Sequence, residues 1–147
     1  MTRSGFTLLE VITSIALMGI ISALGIPRFQ EWMGREHVRQ ARREVTVHLA
    51  GARSVGAQRG CDAVFHLDDT SDRVWVTACQ VQGGGIDTVG MINNLAERYG
   101  VTFAADGDSV EFTPQGLAFG SSWITVTFTK AGYTAALEIS PIGKAIW

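Results

Sequence analysis

A chain of 147 residues with 46% apolar and 18% charged side chains is sized for one compact domain plus an apolar segment. Its net charge of −2 conceals an asymmetry: residues 1–60 hold eight arginines against four glutamates, whereas residues 61–147 hold four basic and ten acidic side chains. That acidic second half argues against a nucleic-acid-binding head, because phosphate affinity needs clustered Lys and Arg.

The chain opens MTRSGFTLLEVITSIALMGIISALGIPRF. From Phe6 to Ile26 it is apolar or small except for Glu10. Carried to Pro27, this stretch spans about 33 Å as a helix, close to the bilayer core of about 30 Å. A cleaved secretory signal would need a small-residue A-x-A-like site after the run, and GIPRFQEW has none. A plain anchor leaves Glu10 unexplained, since an acid at the centre of a membrane helix costs about 2.5–3.5 kcal/mol on insertion scales. Pro27 sits where the helix would leave the membrane; its missing N–H and its ring are expected to kink the helix or melt a turn there.

These features resemble a type IV prepilin signal. MTRSG is similar to the short basic leader, Gly5 to the residue before the cut, Phe6 to the new N-terminus, and Glu10 to the signature glutamate at the fifth mature position. The resemblance implies cleavage after Gly5 and N-methylation of Phe6 by a prepilin peptidase. It also implies a partner for Glu10: the methylated amine of a neighbouring subunit in a staggered filament, whose pairing offsets desolvation. Domains are expected at 1–5 (leader), 6–27 (transmembrane, filament-core helix), 28–60 (amphipathic helix) and 61–147 (periplasmic β head).

From Arg28 to about Arg59 the helical pattern continues in amphipathic form. Val38, Ala41, Val45, Leu49, Ala52 and Val55 make one apolar stripe. Arg35, Arg39, Arg42 and Arg43 lie largely off it, as a solvated face or one that meets headgroups or neighbouring subunits. Gly60 is expected to end the helix. CDAVFHL and RVWVTAC then read as strands around the turn-rich DDTSD. If Leu67 pairs with Arg73, Phe65 faces Trp75 and Cys61 faces Cys79, within reach of a bridge; two buried free thiols are the alternative. Asp68, Asp69 and Asp72 read as a hydrated turn rather than a cation site. The glycines at 83–85 lack the Lys-Ser/Thr of a phosphate loop. QVQGGGIDTVGMINNLAERYG is expected to be an irregular loop, with a short helix within MINNLAERY.

VTFA and SVEFT flank the turn ADGD, WITVTFT and YTAALEI flank KAG, and the chain closes on KAIW. The alternation in WITVTFT gives one apolar face, so the expected fold is α+β: a pilin-like long helix packed on an antiparallel sheet. LAGARSVGAQRG resembles a Leu-x-x-Ala-Arg helix end at Ala52 and Arg53, EFTPQG a Phe-x-Pro-x-Gly element, and EISPIGKAIW a closing strand with a Gly-Arg-like pair at Gly143 and Lys144. Together they resemble the minor pseudopilin family of the type II secretion H subunit and the T-type minor pilins.

That resemblance implies a low-copy subunit that initiates or caps a pseudopilus or pilus. It implies partners among minor and major pilins, a prepilin peptidase and an inner-membrane assembly platform. It further implies a single-pass anchor in the inner membrane with a periplasmic head. The alternative is a tip subunit that captures DNA or an exported protein; nucleic acid is not expected, because Gly143, Lys144, Ala145 and Ile146 stand where relatives that bind DNA carry Gly-Arg-x-Arg, and both arginines are absent. No cofactor, metal or catalytic residue is expected: His37, His48 and His66 are scattered without ligand spacing, and no Gly-x-Ser-x-Gly elbow occurs.

Overall fold

The structure is a computed structural model and describes residues 7–80, 84–120 and 122–147. It divides into two compact units, one ending at Met33 and one spanning Gly34–Trp147. A single helix, α1 (Leu8–Arg59), contributes to both. Thr7 caps its start: the Glu10 N–H donates to Thr7 Oγ1 at 3.3 Å, the bond a threonine N-cap makes to the third helical residue. The helix is continuous through Pro27, so no turn is melted there. It stops at Arg59, where Gly60 turns left-handed (φ 67°) and donates back to Gly56 O at 2.9 Å.

In the second unit α1 buries Gly34, Val38, Ala41, Val45, Leu49, Ala52 and Gly56. The last member corrects the expected stripe, since Val55 is only half-buried. The return of the chain after the helix crowds Gly56: a Cβ there would lie 3.2 Å from Cys61 O and 3.3 Å from Thr113 O. Each fully buried Val or Leu on this face contributes about 1.5–3 kcal/mol relative to exposure.

Among the described residues the head holds eight strands: β1 (Ala63–Asp68), β2 (Arg73–Cys79), β3 (Ile86–Asn94), β4 (Thr102–Ala105), β5 (Ser109–Phe112), β6 (Ile124–Lys130), β7 (Tyr133–Ile139) and β8 (Ala145–Ile146), with a short helix α2 (Leu95–Tyr99) after β3. They form two antiparallel four-stranded sheets, ordered β3-β2-β1-β5 and β4-β6-β7-β8, where one sheet was expected. The strands flanking ADGD are therefore not a hairpin. β4 pairs with β6, while β5 crosses back to pair with β1. Phe65, Phe112, Phe128, Leu137 and Ile139 join the helix stripe in one core.

The β1–β2 hairpin is one residue away from the expected register. Leu67 pairs with Val74, His66 with Trp75, Phe65 with Val76 and Ala63 with Ala78. A one-residue slip moves every side chain to the other face, and the expected pairing would have put Arg73 opposite buried Leu67. Asp68 and Arg73 close the loop instead, and Asp72 takes a left-handed conformation (φ 52°) that an aspartate tolerates. The stretch expected to be an irregular loop contains the nine-residue edge strand β3; residues 81–83 of it lie outside the described residues. Its pattern was obscured by Gly90 (φ 81°) and a register shift opposite Val74–Val76, which break the alternation. Helix α2 is shorter than the expected segment because Asn94 caps it, accepting from Glu97 N at 3.0 Å.

Candidate functional site

Two features stand out, one in each unit. In the first, the helix from Leu8 onward is long and apolar enough to cross a membrane, and its apolar window is uncovered: Leu8 is 81% exposed and Leu24 68%. Glu10 lies in its first turn. An acid there suits the positive end of the helix dipole, and Thr7-Leu8-Leu9-Glu10 has the spacing of a capping box. Among the described residues its carboxylate has no partner. Gly5 and Phe6 lie outside the described residues.

In the second unit, three sequence elements meet on Arg53. Its Nη2 donates to Ile142 O at 2.9 Å and Gly143 O at 3.4 Å, and its guanidinium sits 5.5 Å from the Phe112 ring centroid. Two turns of the same Ser/Thr-Pro-x-Gly pattern present these groups. Thr113-Pro114-Gln115-Gly116 closes through Gly116 N to Thr113 O at 2.8 Å, and Ser140-Pro141-Ile142-Gly143 through Gly143 N to Ser140 O at 2.8 Å. Proline presets the second residue of each turn, and each ends on a left-handed glycine, φ 76° and 73°. A Cβ on Gly116 would stand 3.3 Å from Arg53 Cγ, and one on Gly143 would overlap the Phe112 ring. The repeated Ser/Thr-Pro-x-Gly pattern was readable in the sequence; that both copies converge on one arginine was not. Lys144 N donates to Ser140 Oγ at 3.0 Å, so this C-terminal pair shapes a turn.

The acidic hairpin loop is consumed by structure. Asp68 accepts from Ser71 Oγ and from Thr70 N (3.1 Å), and the Ser71 hydroxyl chiefly holds its carboxyl below the usual range. Asp72 Oδ1 accepts from Phe103 N at 2.8 Å and so ties the β1–β2 loop to β4 in the other sheet. Among the described residues no metal-binding cluster of His, Cys, Asp and Glu forms. The three histidines are each partly buried. His48 Nε2 meets Asn93 Nδ2 at 2.5 Å, and His37 Nδ1 meets Lys130 Nζ at 2.5 Å. Glu44 receives Arg98 Nη1 and Tyr99 OH, each at 3.2 Å, fastening α2 onto α1. Burial there, with the Glu44 charge, raises the Tyr99 pKa. His66 stacks on Trp75 at 4.9 Å, and its partial burial lowers its pKa.

Cys61 and Cys79 are bonded, with Cα atoms 6.2 Å apart. They meet diagonally, just outside the paired ends of β1 and β2, rather than as facing residues.

The sequence matches the family model for the prokaryotic N-terminal methylation motif over residues 1–26. A fimbrial protein of Pseudomonas aeruginosa is 36% identical over 52 residues, which is 35% of this chain and 34% of the relative. The chain thus spans about a third of that relative's length. The fimbrial protein EcpB of Eikenella corrodens is 26% identical over 112 residues, 69% of each chain. The crystal structure of the type IV minor pilin FimU from P. aeruginosa PAO1 superposes with a TM-score of 0.60 at 16% identity, covering 78% of this chain and 90% of that one. At that identity the likeness establishes the fold.

Proposed function

We propose that this chain, type IV pilin-like in its N-terminal methylation motif and in its fold, serves as a minor pilin or pseudopilin. It would be a low-copy subunit that helps start or cap a fibre, in the manner of the type II secretion H subunit and T-type minor pilins. A prepilin peptidase would cut after Gly5 and methylate Phe6. Residues 6–27 would anchor the chain singly in the inner membrane, with the head in the periplasm, until an assembly platform extracts it into contact with other pilins. A bend at Pro27 would ease that transfer. The reading assigns the chain no catalytic step.

The observation that carries this is Glu10: a carboxylate without a partner among the described residues, on an uncovered apolar helix, within the matched motif. In hydrocarbon an isolated anion is costly, and the α-amine that cleavage creates at Phe6 of an adjoining subunit supplies the counter-charge. Glu10 also suits the capping position, so two variants separate the roles. Glu10→Gln keeps the capping-box chemistry and removes the charge; Glu10→Ala removes both. Both should enter the membrane and be processed, which intact-mass measurement of the mature N-terminus would report, and both should be lost from sheared fibres. Normal incorporation of Glu10→Gln would remove the pairing role and leave capping as the reason for the acid.

A further inference from the structure

Two hollows on the unit Gly34–Trp147 carry opposite charge that the chain itself answers only in part. The first, about 280 Å³, is lined by Arg39, Arg42, Arg43 and Trp147. Spacings of three and four place the arginines on one helical face. The Arg42 guanidinium lies 4.5 Å from the Trp147 ring centroid, and its Nη1 donates to Ala136 O at 3.4 Å. Its Nε is buried without an acceptor. Arg39 has only a loose approach to Glu36 at 3.8 Å, and Arg43 has no partner among the described residues. Fixed planar donors beside an aromatic wall suit a carboxylate, which arginine can grip with two parallel bonds.

The second hollow, about 340 Å³, lies beside the Cys61–Cys79 bridge and includes Asp62, Val64, Thr77 and Glu111 in its lining. Val64 pairs with Glu111 across β1 and β5, on the sheet face turned away from Ala63, Phe65 and the core. Among the described residues neither the Asp62 nor the Glu111 carboxylate has a hydrogen-bond or ion-pair partner.

We propose that two copies of this chain dock head to tail, with Asp62 and Glu111 of one entering the Arg39–Arg42–Arg43–Trp147 hollow of the other. The chain's own surface supplies guanidinium donors with spare capacity, Arg43 and the Arg42 Nε, together with carboxylates at Asp62 and Glu111 that are exposed and, among the described residues, unpaired. Because the two recesses are different surfaces, the contact is heterologous, and it leaves one recess of each kind open at the ends. It concerns this chain alone and does not depend on the fibre reading.

Sedimentation velocity on the full chain in detergent tests it. The wild type should associate at about 0.1 M salt and weaken at about 1 M, as the screening length falls from roughly 10 Å to 3 Å. Arg39→Glu with Arg43→Glu, or Asp62→Arg with Glu111→Arg, should each weaken association by about tenfold or more. Mixing those two reversed proteins should restore it, since one then carries two acidic recesses and the other two basic ones. Arg39→Gln with Arg43→Gln, checked by circular dichroism, guards against misfolding of the reversed forms and should also weaken association. A monomeric wild type, association untouched by either reversal, or a mixture that stays monomeric would each overturn the proposal. So would a wild type that stays monomeric but retains a single-stranded oligonucleotide in the arginine recess.

Discussion

Replacing Gly143 by alanine tests the convergence of the two turns on Arg53. Gly143 is left-handed (φ 73°), and the added Cβ would overlap the Phe112 ring and stand 2.9 Å from Ala118 Cβ. The left-handed backbone costs a residue with a Cβ about 1–2 kcal/mol. Overpacking against a fully buried Phe112 adds about 1–3 kcal/mol, giving roughly 2–5 kcal/mol, a large part of the ~5–15 kcal/mol that holds a domain together. For a head of this size that lowers the melting temperature by roughly 8–20 °C. The assay is thermal unfolding of the full chain in detergent, followed by near-ultraviolet circular dichroism. Lys144→Ala is the control and should melt within a degree or two of wild type. Gly143→Ala with Phe112→Leu should recover part of the loss, because it relieves the overlap but not the backbone. A Gly143→Ala protein that melts with the wild type would refute the packing account of this turn.

Two further outcomes follow from the head. Cys61→Ser with Cys79→Ser opens a crosslink with a sequence separation of 18, so unfolding in urea should show a loss of about 3 kcal/mol; equal stability of the two proteins would mean the bond constrains nothing in the unfolded chain. Burial lowers the His66 pKa from its usual 6.5, so below that value the unfolded chain binds more protons than the folded one. The contribution of His66 is therefore complete above pH ~6.5 and falls away as the pH drops toward the folded pKa. Between pH 7.5 and 5.5 the wild type should lose more melting temperature than His66→Gln, and equal losses would refute the desolvation of this ring.

The N-terminal motif and the α1 stripe as far as Ala52 were legible because both are local: spacing within one helix dictates the face. The hairpin β1–β2 was legible as a pair of strands but not in its register, which depended on whether Arg73 or Val74 met Leu67. Only the requirement to keep Arg73 out of the core decides that, and it is visible once the helix is in place. Strand β3 was missed because Gly90 interrupts its alternation. The second sheet was missed because its pairings, such as Thr102 with Thr129, join segments that no short window contains. The elements meeting at Arg53 were recognisable as motifs, while the reason for their glycines, room for Phe112 and for the Arg53 stem, lay in three dimensions.

The crossing of β4 and β5 between sheets also dictates an order of events during folding. A ribosome that has released residues up to the β1–β2 hairpin has not yet supplied β5, which completes the first sheet beside β1. The second sheet must wait for β6, β7 and the last few residues. Long-range pairings of this kind slow folding relative to helical proteins, and the α1 stripe is synthesised before the strands whose apolar interior it will cover. Anything that binds the nascent stripe Val38–Ala52 in that interval competes directly with maturation of the head.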